Sequence, residues 1–183
     1  MFEIKVVAGQ IRGLKLDSDK NENLRPTKDR IKESLFDIIG YNIFEKRFLD
    51  LFGGTGQIGI EAFSRGAEEV VIIELKKSHA DLIKKNISKI KCNHNIKFFQ
   101  LNALDFLKNN KKNFDIIFVD PPYQDVDVLQ SSLNFCIKNI NKDGIIITET
   151  LSSQNIQNKI GDFSLQKRYN YGSISLNLYK SEF

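Results

Sequence analysis

The most specific chemical feature of the sequence is the tetrapeptide Asp120-Pro121-Pro122-Tyr123. A proline cannot donate to a strand ladder or continue a helix, so two prolines in succession fix a stiff, extended turn. The turn directly follows the apolar run 115–119, which predicts a buried strand. Because ligands of open α/β sheets bind at the carboxyl ends of the strands, this turn stands where chemistry is expected.

A carboxylate, a fixed carbonyl oxygen and an aromatic ring suit the methylation of an amino group on a nucleobase. Such an amine is a poor nucleophile because its lone pair is delocalised into the ring. The Asp120 carboxylate and the Pro121 carbonyl oxygen could accept its two hydrogens and turn the lone pair toward a methyl donor, while Tyr123 stacks on the base. The methylated amine loses its proton readily, so no strong general base is needed. We therefore predict a catalytic turn of Asp120, Pro121, Pro122 and Tyr123; the alternative is a plain strand-to-helix turn.

A glycine-rich segment at residues 53–59 predicts the binding site of an adenosine-containing cofactor. Gly54, Gly56 and Gly59 fit the pattern G-x-G-x-x-G between a strand and a helix, and Glu74 ends the next strand. A carboxylate at that point can accept hydrogen bonds from both ribose hydroxyls. Taken alone, the pattern predicts NAD as readily as S-adenosylmethionine.

Asp50, three residues before the glycines, favours S-adenosylmethionine. Its charge would repel a dinucleotide pyrophosphate but attract an ammonium and a sulfonium. After the third strand, Asn102 could accept from the adenine amino group or cap the following helix, and the Ala103 N–H could meet a ring nitrogen. The residues that we expect to bind the cofactor are Asp50, Gly53, Gly54, Thr55, Gly56, Glu74, Leu75, Asn102 and Ala103.

These residues require a mainly parallel sheet to position them. Short Val/Ile-rich runs that alternate with helical patterns at 76–90 and 126–140 predict parallel strands covered on both faces. The predicted strands are 48–52, 69–74, 96–101, 115–119 and 144–148. Residues 163–169 and 174–180 leave no room for a helix between them and predict an antiparallel hairpin. The resulting α/β fold, a Rossmann-like seven-stranded sheet closed by a hairpin, is the arrangement of class I methyltransferases.

The start of the chain predicts a small extension, and composition adds few limits. Residues 4–16 predict a hairpin, and a helix follows at Pro26 and Thr27, with Thr27 as its N-cap. The chain has 183 residues and a net charge of +4, which is compatible with a polyanionic partner without demonstrating one. Cys92 and Cys136 lack metal-site spacing, and no apolar run approaches a membrane span. We expect a cytoplasmic protein that uses neither a metal nor a membrane.

The sequence also resembles a known family. Residues 48–56 resemble the first motif of S-adenosylmethionine methyltransferases, and residues 117–123 fit the signature of the amino-methyltransferases, Asp/Asn/Ser-Pro-Pro-aromatic. Residues 7–9, 12–13 and 25–36 resemble the leader of the RsmD-type family, the guanine-N2 methyltransferases of 16S ribosomal RNA. The resemblance covers nearly the whole chain. One departure is Asn102, where the family usually has Asp. It implies weaker cofactor binding but not its loss, because an amide oxygen can still accept from the adenine amino group.

The resemblance implies a monomeric methyltransferase that acts on 16S rRNA within the small ribosomal subunit or its assembly intermediate. The length of the chain suits one domain over residues 1–183, which we divide into an RNA-facing extension at 1–40 and a catalytic core at 41–183. The resemblance also implies that Arg25, Thr27 and Arg30 face the active site and bind the substrate together with Tyr123; a solvated amphipathic helix is the alternative. The target guanine is expected to be flipped out of its stack.

Three other functions stay open at this point. A DNA adenine-N6 methyltransferase can share the Asp-Pro-Pro-Tyr turn, although the chain has no obvious separate target-recognition domain. An NAD-dependent dehydrogenase can share the glycine loop, but His79 and His94 are poorly placed to be its catalytic acid. A non-catalytic RNA-binding module could retain the fold, although the intact Asp120 and Pro121 argue against it.

Overall fold

The computed structural model, which describes residues 4–18, 26–122 and 125–182, begins with an antiparallel hairpin and a helix. The hairpin pairs β1 (Ile4–Lys5) with β2 (Lys15–Leu16), as predicted. The helix α1 spans Pro26–Ile39, so the predicted N-cap Thr27 lies inside it. Proline suits the first turn of a helix, where its missing N–H would have no partner. The side chains of residues 26–29 lie outside the description.

Within the described ranges, one sheet contains eight strands. Its parallel strands are β3 (Arg47–Asp50), β4 (Glu69–Ile73), β5 (Ile96–Phe99), β6 (Phe114–Val119) and β7 (Ile140–Leu151). The antiparallel strands are β8 (Lys159–Ile160), β9 (Phe163–Tyr171) and β10 (Ile174–Ser181). The spatial order is β5-β4-β3-β6-β7-β10-β9-β8. The class I methyltransferase fold is therefore confirmed, with a two-residue edge strand, β8, added to the predicted seven.

Four helices follow the parallel strands and cover both faces of the sheet. They are α2 (Gln57–Ser64), α3 (Lys77–Ser88), α4 (Ala103–Asn109) and α5 (Val126–Cys136). The predicted helix 126–140 is too long, because α5 ends at Cys136. The strand β7 already begins at Ile140, which pairs with Phe114 of β6 ahead of a shift in the register of these two strands. Successive side chains of each parallel strand point to opposite faces of the sheet, and they form one buried apolar cluster on each face.

The amino-terminal segment is anchored to α2 rather than merely appended. Glu61 on α2 is 1% exposed, and its carboxylate accepts hydrogen bonds from the backbone N–H groups of Val7 at 2.8 Å and Ala8 at 3.0 Å. Arg65 forms an ion pair with the same carboxylate at 2.9 Å. A buried charge is tolerated only when it is paired in this way. The hairpin and α1 also contribute to the apolar cluster on one face of the sheet.

A second connection joins this segment to the glycine loop through one buried side chain. Asn86 on α3 donates from its amide nitrogen to the carbonyl oxygens of Asp17 and Thr55, both at 3.0 Å. Its amide oxygen accepts from the Asp17 N–H at 2.7 Å. The Asn86 side chain therefore uses both donors and an acceptor to hold residues that are far apart in sequence.

Candidate active site

A cavity of about 630 Å³ opens at the carboxyl ends of the parallel strands. This is the size and position expected of a small-molecule site in an α/β sheet. The cavity brings together most of the residues predicted from sequence, namely Gly53, Gly54, Thr55, Glu74, Leu75, Asn102, Ala103, Asp120, Pro121 and Pro122. The glycine loop and the proline turn, which are separated by more than sixty residues in the sequence, thus line one space.

The glycine loop depends on a backbone conformation and a close approach. Gly56 precedes α2 with a φ of +80°, a region that other residues rarely adopt. Gly59, one turn later, packs so closely on β4 that an added Cβ would lie 2.6 Å from Ile72 Cγ1. The first of these glycines shapes the turn, and the second lets α2 approach the sheet. Gly56 itself does not line the cavity.

Glu74 holds the loop and also lines the cavity. One carboxylate oxygen accepts the Gly54 N–H at 2.9 Å, and the other accepts the Lys76 N–H at 2.7 Å. His79 Nδ1 lies 3.6 Å from the carboxylate. Each carboxylate oxygen has a second lone pair, so both retain the capacity to accept from a diol. The arrangement therefore fits the ribose contact predicted for Glu74.

Asp50 is placed differently from the prediction. It is 1% exposed, does not line the cavity, and accepts the Gly59 N–H at 3.0 Å. Burial raises the pKa of Asp50 to about 7, the nearby Glu74 charge adds to the rise, and the hydrogen bond from Gly59 opposes it. Asp50 thus supports the start of α2 from behind the loop, and no contact with the cavity is seen.

The raised pKa of Asp50 predicts a specific pH dependence of stability. In the unfolded chain Asp50 ionises near its ordinary pKa of 3.8, whereas in the folded chain its pKa of about 7 keeps it protonated to higher pH. The free energy of unfolding therefore falls as the pH rises from about 4 to about 7. Asp50→Asn stays neutral and can still accept from Gly59. Its gain in unfolding free energy over the wild type should therefore be greater at pH 8 than at pH 5, by on the order of 2 kcal/mol.

Urea denaturation of both chains at the two pH values measures this difference. Asp127→Asn is the matched control, because Asp127 is an exposed carboxylate outside the cavity. If the gain in unfolding free energy of Asp50→Asn over the wild type is the same at pH 5 and pH 8, the prediction is contradicted.

Asn102 acts as a helix cap. Its side-chain oxygen accepts from the Leu104 N–H at 2.9 Å and the Asp105 N–H at 3.3 Å, which satisfies two N–H groups at the start of α4. Capping was one of the two roles that the sequence left open. Because the oxygen is used by the helix, the side-chain group left for the cavity is the amide nitrogen, a donor.

The proline turn lines the same cavity, together with a carboxylate that the sequence did not single out. Asp120 is partly buried, Pro121 is buried, and the Pro122 carbonyl oxygen accepts the Asp125 N–H at 2.9 Å. The additional carboxylate is Glu149 on β7, which also lines the cavity. The sequence held one signal for Glu149, a charged residue next to an Ile-rich strand. It was missed because the predicted strand 144–148 ends one residue before Glu149.

Two exposed leucines form apolar walls of the cavity. Leu75 follows β4 and is 61% exposed, and Leu101 follows β5 and is 45% exposed. Leu101 was not predicted as a site residue. Apolar side chains in a cavity with a few polar groups are typical of a site for a flat aromatic ring.

The predicted substrate-binding residues are only partly described. Arg30 is exposed on α1 and does not line the cavity. Arg25 and Tyr123 lie outside the described residues, as does the side chain of Thr27. In the described ranges, no three His, Cys, Asp or Glu side chains are grouped as metal ligands. None of the helices in those ranges is long and apolar enough to cross a membrane.

Comparison with known proteins gives consistent matches over nearly the full chain. Residues 4–180 match the family described as conserved hypothetical protein 95. Ribosomal RNA small subunit methyltransferase D of Haemophilus influenzae is 35% identical, with 98% of this chain and 94% of that protein covered. The protein of the same name from Escherichia coli K12 is 30% identical, with coverages of 98% and 91%. The solved structure of the yhhF protein of Escherichia coli has a TM-score of 0.88 at 28% identity and covers 100% of this chain and 99% of its own.

Proposed function

Because the chain belongs to the family described as conserved hypothetical protein 95, we propose that it is an S-adenosylmethionine-dependent methyltransferase of ribosomal RNA. More specifically, we propose that it methylates the exocyclic N2 amine of a guanine in the 16S rRNA of the small subunit or its assembly intermediate. The names of the relatives support the rRNA substrate. The observation that carries the proposal is the cavity shared by the glycine loop, Glu74 and the Asp120-Pro121-Pro122 turn.

The described residues fit S-adenosylmethionine in shape and chemistry. Glu74 has two fixed oxygens for the ribose hydroxyls, and Leu75 and Leu101 offer apolar surface to the adenine. The carboxylic side chains of Glu74, Asp120 and Glu149 line the cavity, and such acidic groups suit a ligand with a sulfonium and an ammonium better than one with a pyrophosphate. The bound cofactor supplies a methyl group made electrophilic by the positive sulfur.

The proline turn then activates the amine. The Asp120 carboxylate and the Pro121 carbonyl oxygen accept its two hydrogens, so that the nitrogen lone pair points away from them and toward the methyl carbon. A nitrogen–carbon bond forms as the carbon–sulfur bond breaks, with its electron pair remaining on sulfur. Asp120 stabilises the positive charge that develops on the nitrogen, and the excess proton leaves to water. Tyr123 stacks on the base in this proposal, and Arg25, Thr27 and Arg30 contact the RNA.

The Asn102 cap leads to a prediction about cofactor affinity. An Asp at this position could cap α4 with one oxygen and accept from the adenine amino group with the other, whereas the free Asn102 nitrogen can only donate. Asn102→Asp should therefore bind S-adenosylhomocysteine about 5- to 10-fold more tightly, the effect of one added hydrogen bond. Isothermal titration calorimetry measures the change.

Asn109→Asp provides the matched control for that measurement. It makes the same charge change on α4 at an exposed position outside the cavity. An equal gain in both variants would attribute the effect to net charge, and an unchanged affinity for Asn102→Asp would contradict the contact with adenine.

The proposed function is tested by incubating the protein with radiolabelled S-adenosylmethionine and small ribosomal subunits that lack their base methylations. We expect label in 16S rRNA at one guanine, identified as N2-methylguanine by nuclease digestion and mass spectrometry. Duplex DNA and large-subunit rRNA serve as parallel substrates. Labelled N6-methyladenine in the DNA, with none in the rRNA, would replace this function by that of a DNA adenine methyltransferase.

A further inference from the structure

Glu149 occupies an unusual position in the centre of the sheet. Its strand β7 lies between β6 and β10, and Glu149 is paired with Leu176, which is fully buried. Two residues earlier on the same face is Ile147, also fully buried. Glu149 itself is half-buried, because it borders the cavity. A charged side chain in the centre of an otherwise apolar sheet, at the wall of the proposed active site, is a candidate for a functional role.

The strand order places Glu149 on the side of Asp120 that faces away from the cofactor loop. β6 lies between β3, which leads into the glycine loop, and β7, which carries Glu149. Neighbouring strands are about 4.8 Å apart, so β7 is roughly 10 Å from the glycine-loop strand but adjacent to the strand of Asp120. Val119 pairs with Thr148, and the residues that follow this pair, Asp120 and Glu149, both line the cavity. Glu149 is therefore next to the amine-binding turn, on its substrate side.

The hydrogen-bonding edge of guanine matches two neighbouring carboxylates. Guanine presents its N2 amino group and, directly beside it, the N1–H, which is a second donor. Adenine and 2-aminopurine each present an amino group beside an unprotonated ring nitrogen, which is an acceptor. An ionised carboxylate accepts but cannot donate, so it attracts guanine at this position and repels the other two bases.

We propose that Glu149 is a specificity-determining residue that accepts the N1–H of the target guanine while Asp120 and the Pro121 carbonyl oxygen hold its N2 amine. This inference rests on the proposed guanine-N2 activity and adds the group that distinguishes guanine from other amino-bearing bases. Glu149 takes no part in bond making; it fixes which base can place its amine against the turn.

The test compares two target bases in the wild type and in Glu149→Gln. The substrate is small-subunit RNA ligated from fragments, with guanine or 2-aminopurine at the mapped target. 2-Aminopurine keeps the 2-amino group and loses the N1–H. The wild type should prefer guanine in kcat/KM by about 10- to 100-fold, the range of one base-edge contact. The carboxamide of Glu149→Gln can either accept or donate, so the preference should fall at least about 5-fold, with guanine turnover reduced.

Two control measurements keep the outcomes distinct. Binding of S-adenosylhomocysteine to Glu149→Gln should match that of the wild type, which verifies that the fold and the cofactor site are retained. Glu68→Gln, at an exposed position outside the cavity, should keep the wild-type preference. An undiminished preference in Glu149→Gln, or none in the wild type, overturns the role of Glu149 while leaving guanine methylation standing. A wild type that methylates no guanine overturns the proposed function as well.

Discussion

Replacing Asp120 by alanine is expected to reduce methyl transfer by roughly 10²- to 10³-fold, the usual effect of removing one preorganised group from a developing charge. Asp120 lines the cavity at the end of β6, and its carboxylate is proposed both to orient the amine and to stabilise its positive charge. Because this contact strengthens during the reaction, the loss should appear in kcat more than in KM. Single-turnover transfer from labelled S-adenosylmethionine to small subunits measures it.

Two further variants make the Asp120 result interpretable. Asp120→Asn keeps one accepting oxygen but loses the charge, so its activity should lie between those of the wild type and the alanine variant. Asp127→Ala removes an exposed carboxylate of α5 outside the cavity and should leave the rate unchanged. All variants should bind S-adenosylhomocysteine nearly as well as the wild type. Full turnover by Asp120→Ala would remove the mechanism proposed for the proline turn.

The second large effect is expected at Glu74. Glu74→Ala removes the proposed ribose contacts and also frees the Gly54 and Lys76 N–H groups. Two charge-assisted hydrogen bonds of about 1.5 kcal/mol each correspond to about 3 kcal/mol, so the dissociation constant of S-adenosylhomocysteine should rise by about 10²-fold. Calorimetric titration gives the constant, and the thermal shift produced by a fixed concentration of ligand should shrink accordingly.

Glu69→Ala is the matched control for Glu74. Glu69 begins the strand β4 that Glu74 follows, and it forms ion pairs with Arg47 and Lys97 outside the cavity. Its removal should leave the dissociation constant unchanged. The same titrations with NAD should give no saturable binding to the wild type. Tight binding of NAD, or unaltered affinity in Glu74→Ala, would contradict the assignment of Glu74 to the ribose of S-adenosylmethionine.

Much of the fold could be predicted because its signals are local. A short apolar run such as 116–119 between turn residues favours a strand buried on both faces of a sheet, and the short interval between 169 and 174 excludes a helix. The strand β8 was missed because two residues, Lys159 and Ile160, carry no alternating pattern. The start of β7 was missed because its first residue, Ile140, continues the apolar pattern of the preceding helix.

The site was less predictable where it depends on which groups meet in three dimensions. The glycine loop and Glu74 follow from a short motif, and the structure brings them together. The position of the Asp50 side chain depends on the Gly59 N–H, a donor in the first turn of α2 that has no partner within the helix and that only the folded loop brings to Asp50. Glu149 carries no motif, and it reaches the cavity only through the register of β7 with β6. Long-range pairing of this kind leaves no local pattern in one sequence.

The buried side-chain amide of Asn86 links the glycine loop to the amino-terminal segment. A shortened chain without residues 4–18 would remove both Asp17 partners of the Asn86 amide, and only the bond to the Thr55 carbonyl oxygen would still orient this side chain against the glycine loop. The amino-terminal segment is therefore part of the hydrogen-bonded framework of the glycine loop. Under the proposed function, a change of this segment that accompanies RNA binding would reach the glycine loop through Asn86, and any such coupling would act equally in both directions.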